Sequence, residues 1–486
     1  WKDEIIAAGL LMAFAFFINR GIEIKGLYMD DLYLWSCYGE QTFGQFIFPM
    51  GSTRFRFLYY LAAWLELAVI GNHIGWFVPL NIILNGCIAY SVYRFGKRLS
   101  RSYLMGLGCG FLYLLSRMSY YQISQVYGLM ESLALWAALG ILYCLLRYVD
   151  EKGDGKKYLT RSCVLYFAVC FIHERYLALL PLIYLAILYK KGKKKAFWFL
   201  PAGVFAVVMA IRVLTTGGVA PAGTGGTNVA ETFSVMTSIR YAIDQVLYIF
   251  GINAGPGHLS GARWTESPSW IHVQIIAADL VLLVLVILAV IRLIRDKEGR
   301  LKYLRDISLF LVFIALCIGA SSVTIRVETR WIYVSMTAAY LLAAYLYGMI
   351  TAKPEHGKVV DIKREVRKAA DKKAGRQSAV LCGGLFLVYI IIMFPVENYY
   401  RGQYPNLYFW ADQQRYNSLA EETYGKYGDD IFGRKIYIIG NSYRMSDFTA
   451  RTFFKEFDRD RKAEGTEVHF IDSIHDIGLI TNNMLV

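Results

Sequence analysis

The chain alternates between long apolar runs and short polar or basic segments. An apolar run of about 20 residues can cross the hydrocarbon core of a bilayer as one helix. This pattern predicts an all-α polytopic membrane domain over residues 1–396. Its predicted crossings, about eleven in number, are Ile5–Ile18, Trp76–Phe95, Ser102–Ser116, Tyr127–Tyr148, two within Ser162–Tyr189, Ala196–Leu214, Val273–Leu293, Ile307–Val323, Trp331–Ile350 and Ala379–Phe394.

The run Ser162–Tyr189 is interrupted in its middle by His173-Glu174-Arg175, and basic residues flank it on both sides. Lysine and arginine concentrate in cytoplasmic loops, so both flanks should be cytoplasmic. This predicts a hairpin of two short helices with the interruption at its outer apex. A single long helix is the alternative, and it would invert the orientation of everything that follows.

In the last 90 or so residues the long apolar runs stop, and short apolar stretches alternate with polar ones. We predict a helix over Trp410–Tyr424, a strand over Lys435–Gly440, a helix over Phe448–Arg459 and a strand over Thr466–Asp472. These elements indicate a small soluble α/β domain over residues 397–486. The stretch Gly440–Ser442 resembles the start of a phosphate loop, but without further glycines or a lysine such a stretch is more often a plain turn.

Composition and charge agree with a membrane protein, since 56% of the 486 residues are hydrophobic and the formal net charge is +14. The positive charges cluster between apolar runs, as expected when they set the orientation of the helices in the membrane. Anionic membrane lipids are therefore expected as partners rather than nucleic acid. The predicted orientation, most simply in a bacterial plasma membrane, places the N-terminus and the basic segment 351–378 in the cytoplasm. It places the loops 26–75 and 215–271 and the C-terminus outside. Seven of the eight cysteines lie in apolar runs, and their spacing indicates neither a disulfide framework nor a zinc site.

The first outer loop opens with GLYMDDLYLW, in which Asp30 and Asp31 are adjacent carboxylates among aromatic and aliphatic residues. Such a pair at the mouth of a helical bundle is a candidate general base beside a polar partner. Alternatively, the two acids only mark the water interface, and the aromatics form an interfacial belt.

The same topology brings further ionisable residues to the outer face. Charged groups at membrane depth are costly unless they face a polar cavity or one another, so a convergent set predicts a site; a network of ion pairs that fixes helix packing is the alternative. Guanidinium groups bind phosphate oxygens in pairs, and a carboxylate opposite them can deprotonate a hydroxyl. Together they suit sugar transfer from a lipid phosphate. The set comprises Arg54, Arg56, Glu131, His173, Glu174, Arg175, Arg326, Glu328 and Arg330.

Five segments, taken in order, resemble the GT-C glycosyltransferases, polytopic enzymes that use polyprenyl-phosphate sugars, and in particular the relatives of protein O-mannosyltransferases. The resemblance extends over roughly Ile5–Ile350, and it depends on the order and spacing of the segments more than on any one of them. The segments are Asp30-Asp31, Ser52–Gly86, Gln122–Leu139 with its inward Glu131, Phe171–Pro181 and Arg326–Ser335.

The resemblance implies a GT-C fold and Asp30 as the catalytic base, with Asp31 as an alternative or a helper. It implies Glu174 as a structural or acceptor-side carboxylate. The donor-binding residues it implies are Arg330 on the phosphate, Arg54 or Arg56 beside it, Arg326 and Tyr333. Two departures from the family pattern are Phe55-Arg56-Phe57 in place of Arg-Pro-Leu, and His173 in place of a lysine, which would make the site pH-sensitive.

The expected activity is inverting transfer of a sugar from a polyprenyl-phosphate donor to an extracytoplasmic acceptor. A lipid-phosphate flippase and a cell-surface assembly protein are the alternatives. No cofactor is required for this chemistry. A divalent metal held by Asp30, Asp31 and His258 is an alternative that the ligand spacing does not support. His258, in the glycine-rich outer loop, is either a supporting polar residue of the site or an ordinary loop residue.

Overall fold

The computed structural model describes most of the chain. The described residues are 2–24, 27, 30–50, 52, 54–71, 73–190, 196–219, 229–253, 262–352, 363–403, 408–440, 454, 457 and 466–486.

The first half of the described chain is helical. Its helices are α1 (Lys2–Ile18), α2 (Asp30–Glu40), α3 (Phe43–Ile47), α4 (Phe57–Ile70), α5 (Phe77–Ser100), α6 (Tyr103–Leu115), α7 (Ser119–Ser124), α8 (Gly128–Asp150), α9 (Lys156–Cys170), α10 (Leu180–Tyr189) and α11 (Ala196–Thr216). Short 3₁₀ turns at Ile74–Trp76 and Glu174–Leu179 precede α5 and α10.

The second half continues as α12 (Val229–Thr232), α13 (Val235–Ile249), α14 (Ser269–Arg295), α15 (Arg300–Ser322), α16 (Thr329–Thr351), α17 (Lys363–Arg401) and α18 (Tyr408–Tyr427). The predicted basic segment 351–378 and the last predicted crossing are joined, because from Lys363 onward they form the single helix α17.

Each predicted crossing coincides with a helix. Seven helices in the described chain are long and apolar enough to span a bilayer, and the chain is an integral membrane protein. The other predicted crossings correspond to the shorter helices α1, α6, α9 and α10, of 17, 13, 15 and 10 residues. The count of eleven stays a prediction. The seven are Ile74–Ser100, Gly128–Asp150, Phe197–Thr216, Ser269–Arg295, Arg300–Ser322, Thr329–Thr351 and Val380–Arg401.

The predicted hairpin over residues 162–189 is confirmed. Helix α9 ends at Cys170, and the side chain of His173 then lies 3.5 Å from Glu131, near the start of α8. At the far end of α10, the buried Lys190 Nζ donates to the backbone carbonyl of Tyr148, near the end of α8, at 2.8 Å. Helices α9 and α10 therefore both run along α8 in opposite directions, and the single-helix alternative is wrong.

Close helix packing in the bundle depends on glycine at two positions. A Cβ atom at Gly106 of α6 would lie 2.8 Å from the carbonyl oxygen of Tyr93 on α5, and one at Gly348 of α16 would lie 2.3 Å from that of Leu99. Small residues let membrane helices approach this closely. Van der Waals contacts then hold the helices together, because in lipid there is no hydrophobic effect to do so. Helix α5 is thereby held between α6 and α16.

The C-terminal part forms a three-stranded parallel sheet in the order β2-β1-β3, with β1 at Lys435–Ile439, β2 at Glu467–Ile471 and β3 at Met484–Leu485. A separate small core supports it, formed by Ala420, Ile431, Ile436, Phe454 and Val468. The predicted α/β character, helix and two strands are confirmed; the two-residue β3 was not predicted. The predicted helix Phe448–Arg459 lies outside the described residues except for Phe454 and Phe457, and so does the Gly440–Ser442 turn beyond Gly440.

Candidate functional site at one end of the bundle

The two adjacent acids at the start of α2 have different surroundings. Asp30 is exposed, whereas Asp31 is only 4% exposed and its carboxylate accepts the backbone N–H groups of Val126 at 3.2 Å and Tyr127 at 3.0 Å. Burial raises the pKa of Asp31 to about 7 and the charge of Asp30 adds to this, while the two N–H donors and Arg330 lower it. Asp31 therefore attaches α2 to the start of α8, whereas the side chain of Asp30 remains exposed.

Arg56 and Glu174 form a buried bidentate ion pair. Nε and Nη2 of Arg56 donate to the two carboxylate oxygens at 2.6 and 2.7 Å. Burial alone would raise the pKa of Glu174, but the Arg56 guanidinium outweighs it and holds that pKa well below its usual range. Arg54 approaches the same carboxylate less closely, at 3.7 Å, and 28% of its side chain is exposed.

Glu131, fully buried at the start of α8, gathers four donors. Arg175 Nη2 donates to it at 2.6 Å and Trp331 Nε1 at 3.2 Å, while His173 Nε2 and Arg330 Nε lie at 3.5 and 3.7 Å. Burial, and then the charge of Arg175, lower the pKa of His173 to about 4, so this histidine is neutral near pH 7. Its Nδ1 accepts the backbone N–H of Arg175, which leaves the proton on Nε2, facing Glu131.

Arg330, at the start of α16, completes the cluster. Its Nη1 donates to the hydroxyl of Tyr121 at 2.7 Å, and its Nη2 lies 2.5 Å from Glu328. The guanidinium carbon lies 4.3 Å from the centre of the Tyr121 ring, a cation–π contact. Arg326 donates to the other oxygen of Glu328 at 2.9 Å, so that Glu328 joins the two arginines.

These contacts bring together segments that are far apart in the chain. Asp31 accepts the N–H groups of Val126 and Tyr127, while Arg330 donates to Tyr121 and lies 3.7 Å from Glu131, so the acidic pair and this guanidinium meet on the same short segment. Through the contacts above, the site draws on α2, the segment before α4, the start of α8, the turn between α9 and α10, and the turn before α16. It is a polar cluster at the mouth of an otherwise apolar bundle.

Of the other predicted site residues, Tyr333 packs elsewhere and His258 is not described. Tyr333 is fully buried, its hydroxyl donates to the carbonyl of Tyr113 at 2.7 Å, and the two rings stack at 4.6 Å. It packs between α6 and α16, and its expected donor-binding role stays a prediction. His258 lies outside the described residues. Within the described part of the chain, no three histidine, cysteine or acidic side chains are grouped as metal ligands.

A second buried ion pair was missed by the sequence analysis. Arg117, between α6 and α7, donates through Nη1 to Glu397 of α17 at 2.7 Å, and its backbone N–H donates to the same carboxylate at 2.6 Å. The rings of Tyr248 and Tyr400 cover the guanidinium at 4.4 and 4.5 Å. The available signal was a single charged residue at the end of each of two apolar runs.

No protein-family model and no curated protein sequence matches the chain. Among solved structures it is similar to ArnT from Cupriavidus metallidurans bound to undecaprenyl phosphate, at 10% identity and a TM-score of 0.48, over 96% of this chain and 89% of that one. It is also similar to the Archaeoglobus fulgidus oligosaccharyltransferase tethered to an acceptor peptide, at 10% identity and a TM-score of 0.44, over 96% of this chain and 63% of that one. This chain thus spans less than two thirds of the oligosaccharyltransferase. Similarity this low does not establish membership of a family, and a function has to come from the chain's own side chains.

Proposed function

We propose that the protein is an inverting membrane glycosyltransferase that moves a sugar from a polyprenyl-phosphate carrier to a hydroxyl of an extracytoplasmic acceptor. One observation carries this proposal: Asp31, next to the exposed carboxylate Asp30, and the guanidinium of Arg330 both contact the short segment from Tyr121 to Glu131 at one end of the helix bundle. A general base and a phosphate ligand within one site are the two parts that the reaction needs.

The arginines divide into two kinds. Arg56, 4% exposed, and Arg175, 10% exposed, make short contacts with Glu174 and Glu131 and hold these carboxylates in place. Arg54, with 28% of its side chain exposed, reaches the open side of the cluster, and Arg330, no more exposed than Arg175, donates to Tyr121 beside the segment that Asp31 contacts. Because guanidinium groups stay charged and their geometry matches that of phosphate oxygens, Arg54 and Arg330 are the proposed ligands of the carrier phosphate.

Asp30 is the proposed base because Asp31 is buried and already accepts two backbone N–H groups. Asp30 takes the proton of the acceptor hydroxyl as the acceptor oxygen bonds to the anomeric carbon of the sugar. The bond from that carbon to the phosphate oxygen breaks, and the phosphate leaves with the electron pair, stabilised by Arg330 and Arg54. Attack from the face opposite the leaving phosphate inverts the anomeric configuration.

The deciding experiment is the Asp30→Asn variant, assayed for sugar transfer from a panel of polyprenyl-phosphate hexoses and for binding of polyprenyl phosphate itself. Loss of a general base should lower the transfer rate by about 10²- to 10⁴-fold. Polyprenyl-phosphate binding should remain, because the arginines are untouched. Glu40→Gln, at the other end of α2, is the matched control and should retain activity. Transfer by Asp30→Asn at the rate of this control would rule out the mechanism.

A further inference from the structure

A cavity of about 950 Å³ lies between α5, α8 and α9, and it extends to the basic ends of these helices, away from Asp30 and Arg330. Apolar side chains form its walls, among them Val92, Phe95, Leu139 and Leu165. Trp136, 39% exposed, also lines it, and its Nε1 donates to Ser91 on the opposite helix at 3.1 Å. The cavity is therefore an apolar groove that opens toward the surrounding bilayer.

The length of the groove matches one leaflet. On α8 its lining runs from Leu133 to Tyr143. Ten residues of α-helix correspond to about 15 Å, which is half of the roughly 30 Å hydrocarbon core of a bilayer. An extended acyl chain from one side of the membrane would fill it.

The basic end of the groove carries cations in excess. Arg94, Arg98 and Arg101 line it and are exposed, and no acidic side chain in the described part of the chain lies within ion-pair distance of them. Lys97, in contrast, is paired with Glu4 at 2.7 Å. Arg98 also donates to the hydroxyl of Tyr143 at 3.4 Å, which turns its guanidinium toward the groove. The groove mouth therefore carries a positive charge that no neighbouring carboxylate neutralises.

We propose that this groove binds an anionic glycerophospholipid of the leaflet on the basic side of the membrane. Its phosphate contacts Arg94, Arg98 and Arg101, and one acyl chain lies along Phe95, Trp136 and the other apolar walls. Charge complementarity selects the headgroup, since each arginine near an anionic headgroup adds to the attraction. The phosphate end of the groove lies away from the candidate active site, while its apolar end reaches Leu133 and Ile172 near Glu131 and His173; the proposal does not depend on the function proposed for that site.

The test uses the full-length protein in phosphatidylcholine nanodiscs that contain a minor fraction of phosphatidylglycerol, with bound lipid counted by native mass spectrometry. The wild type should retain phosphatidylglycerol in preference to phosphatidylcholine. The Arg94→Gln, Arg98→Gln, Arg101→Gln triple variant should bind it at least about tenfold more weakly. The matched control removes three charges from the same end of the bundle, with Lys152→Gln, Lys156→Gln and Lys157→Gln, and should behave as the wild type. Equal retention by the two triple variants would overturn the proposal.

A second variant tests the apolar part without changing charge. Ala137→Phe places a ring in the groove and should weaken retention of phosphatidylglycerol while the arginines remain. Free glycerol phosphate, which has the headgroup charge but no acyl chain, should not displace the lipid. Displacement by glycerol phosphate, or undiminished lipid retention by Ala137→Phe, would mean that the arginines bind a free anion and that no lipid chain occupies the groove.

Discussion

One enclosed arginine–glutamate pair and one cluster of several arginines lie at the same end of the bundle, and they are built differently. In the pair Arg117–Glu397, one guanidinium meets one carboxylate, both side chains are at most 1% exposed, and the rings of Tyr248 and Tyr400 close the two faces. No side of this pair is left for a ligand. Its contacts join the segment after α6 to α17, so its role is to hold the last membrane helix in place.

The candidate site is larger and partly open, and with Asp30 and Asp31 its carboxylates equal its arginines in number. Five arginines share three glutamates, and His173 adds no charge near pH 7. The five are Arg54, Arg56, Arg175, Arg326 and Arg330, and the three are Glu131, Glu174 and Glu328. An enclosed pair stabilises the fold, whereas a partly open cluster can accept an anion. The difference in enclosure separates a structural pair from a candidate site.

The largest loss of stability is expected on breaking the enclosed pair. Arg117→Met leaves Glu397 charged and buried, so the free energy of unfolding should fall by about 3–5 kcal/mol. Thermal unfolding in detergent measures this. Because replacing both charges removes the unpaired carboxylate, the double variant Arg117→Met, Glu397→Met should recover much of the loss. A double variant less stable than the single one would show that the pair itself stabilises the bundle more than its desolvation costs.

Within the candidate site, one arginine substitution should lower stability and another should weaken phosphate binding. Arg56→Gln removes both short hydrogen bonds to Glu174, so the free energy of unfolding should fall by about 2 kcal/mol, with Arg54 compensating in part. Arg54→Gln should leave stability nearly unchanged but weaken polyprenyl-phosphate binding about tenfold, since it removes one charged contact with the phosphate. Unfolding and binding measured on both variants give the comparison. If instead Arg56→Gln kept its stability and Arg54→Gln lost it, the roles given to the two arginines would be wrong.

The next effect is a pH dependence from Asp31. Its pKa rises from an ordinary value near 3.8 to about 7 in the fold, chiefly through burial. Between these values the unfolded chain is ionised while the folded chain keeps its proton, so stability falls as the pH rises, by at most about 1.4 kcal/mol per pH unit. Above about pH 7 the effect levels off. The melting temperature of the wild type, relative to the always neutral Asp31→Asn variant, should therefore fall between pH 4.5 and 7.5. A difference that grows with pH would mean that the N–H groups of Val126 and Tyr127 outweigh burial.

The sequence predicted the helices and which end of the bundle each polar residue reaches, because apolar runs and basic flanks are local signals. It did not predict how the polar residues pair. Asp30 and Asp31 are neighbours with the same chemistry, and only the contact of Asp31 with the backbone at Val126, 95 residues away, distinguishes them. Arg117 was missed for the same reason, since its partner Glu397 lies 280 residues further along. Such pairings depend on how the helices pack against one another, and local patterns in a single sequence do not show which distant residues meet.

The smallest effect is expected at the rim of the candidate site. Arg326 contacts only Glu328 among the acidic side chains in the described part of the chain, and 43% of its side chain is exposed. Ion pairs this exposed contribute about 0–1 kcal/mol, so Arg326→Gln should change the unfolding free energy by no more than that. Glu328 then loses one of its two arginines and should bind Arg330 more firmly, which would weaken polyprenyl-phosphate binding about twofold to threefold. Arg326→Lys keeps the charge and should bind as the wild type does. A loss of phosphate binding by Arg326→Gln as large as that of Arg54→Gln would move Arg326 from the rim into the phosphate site itself.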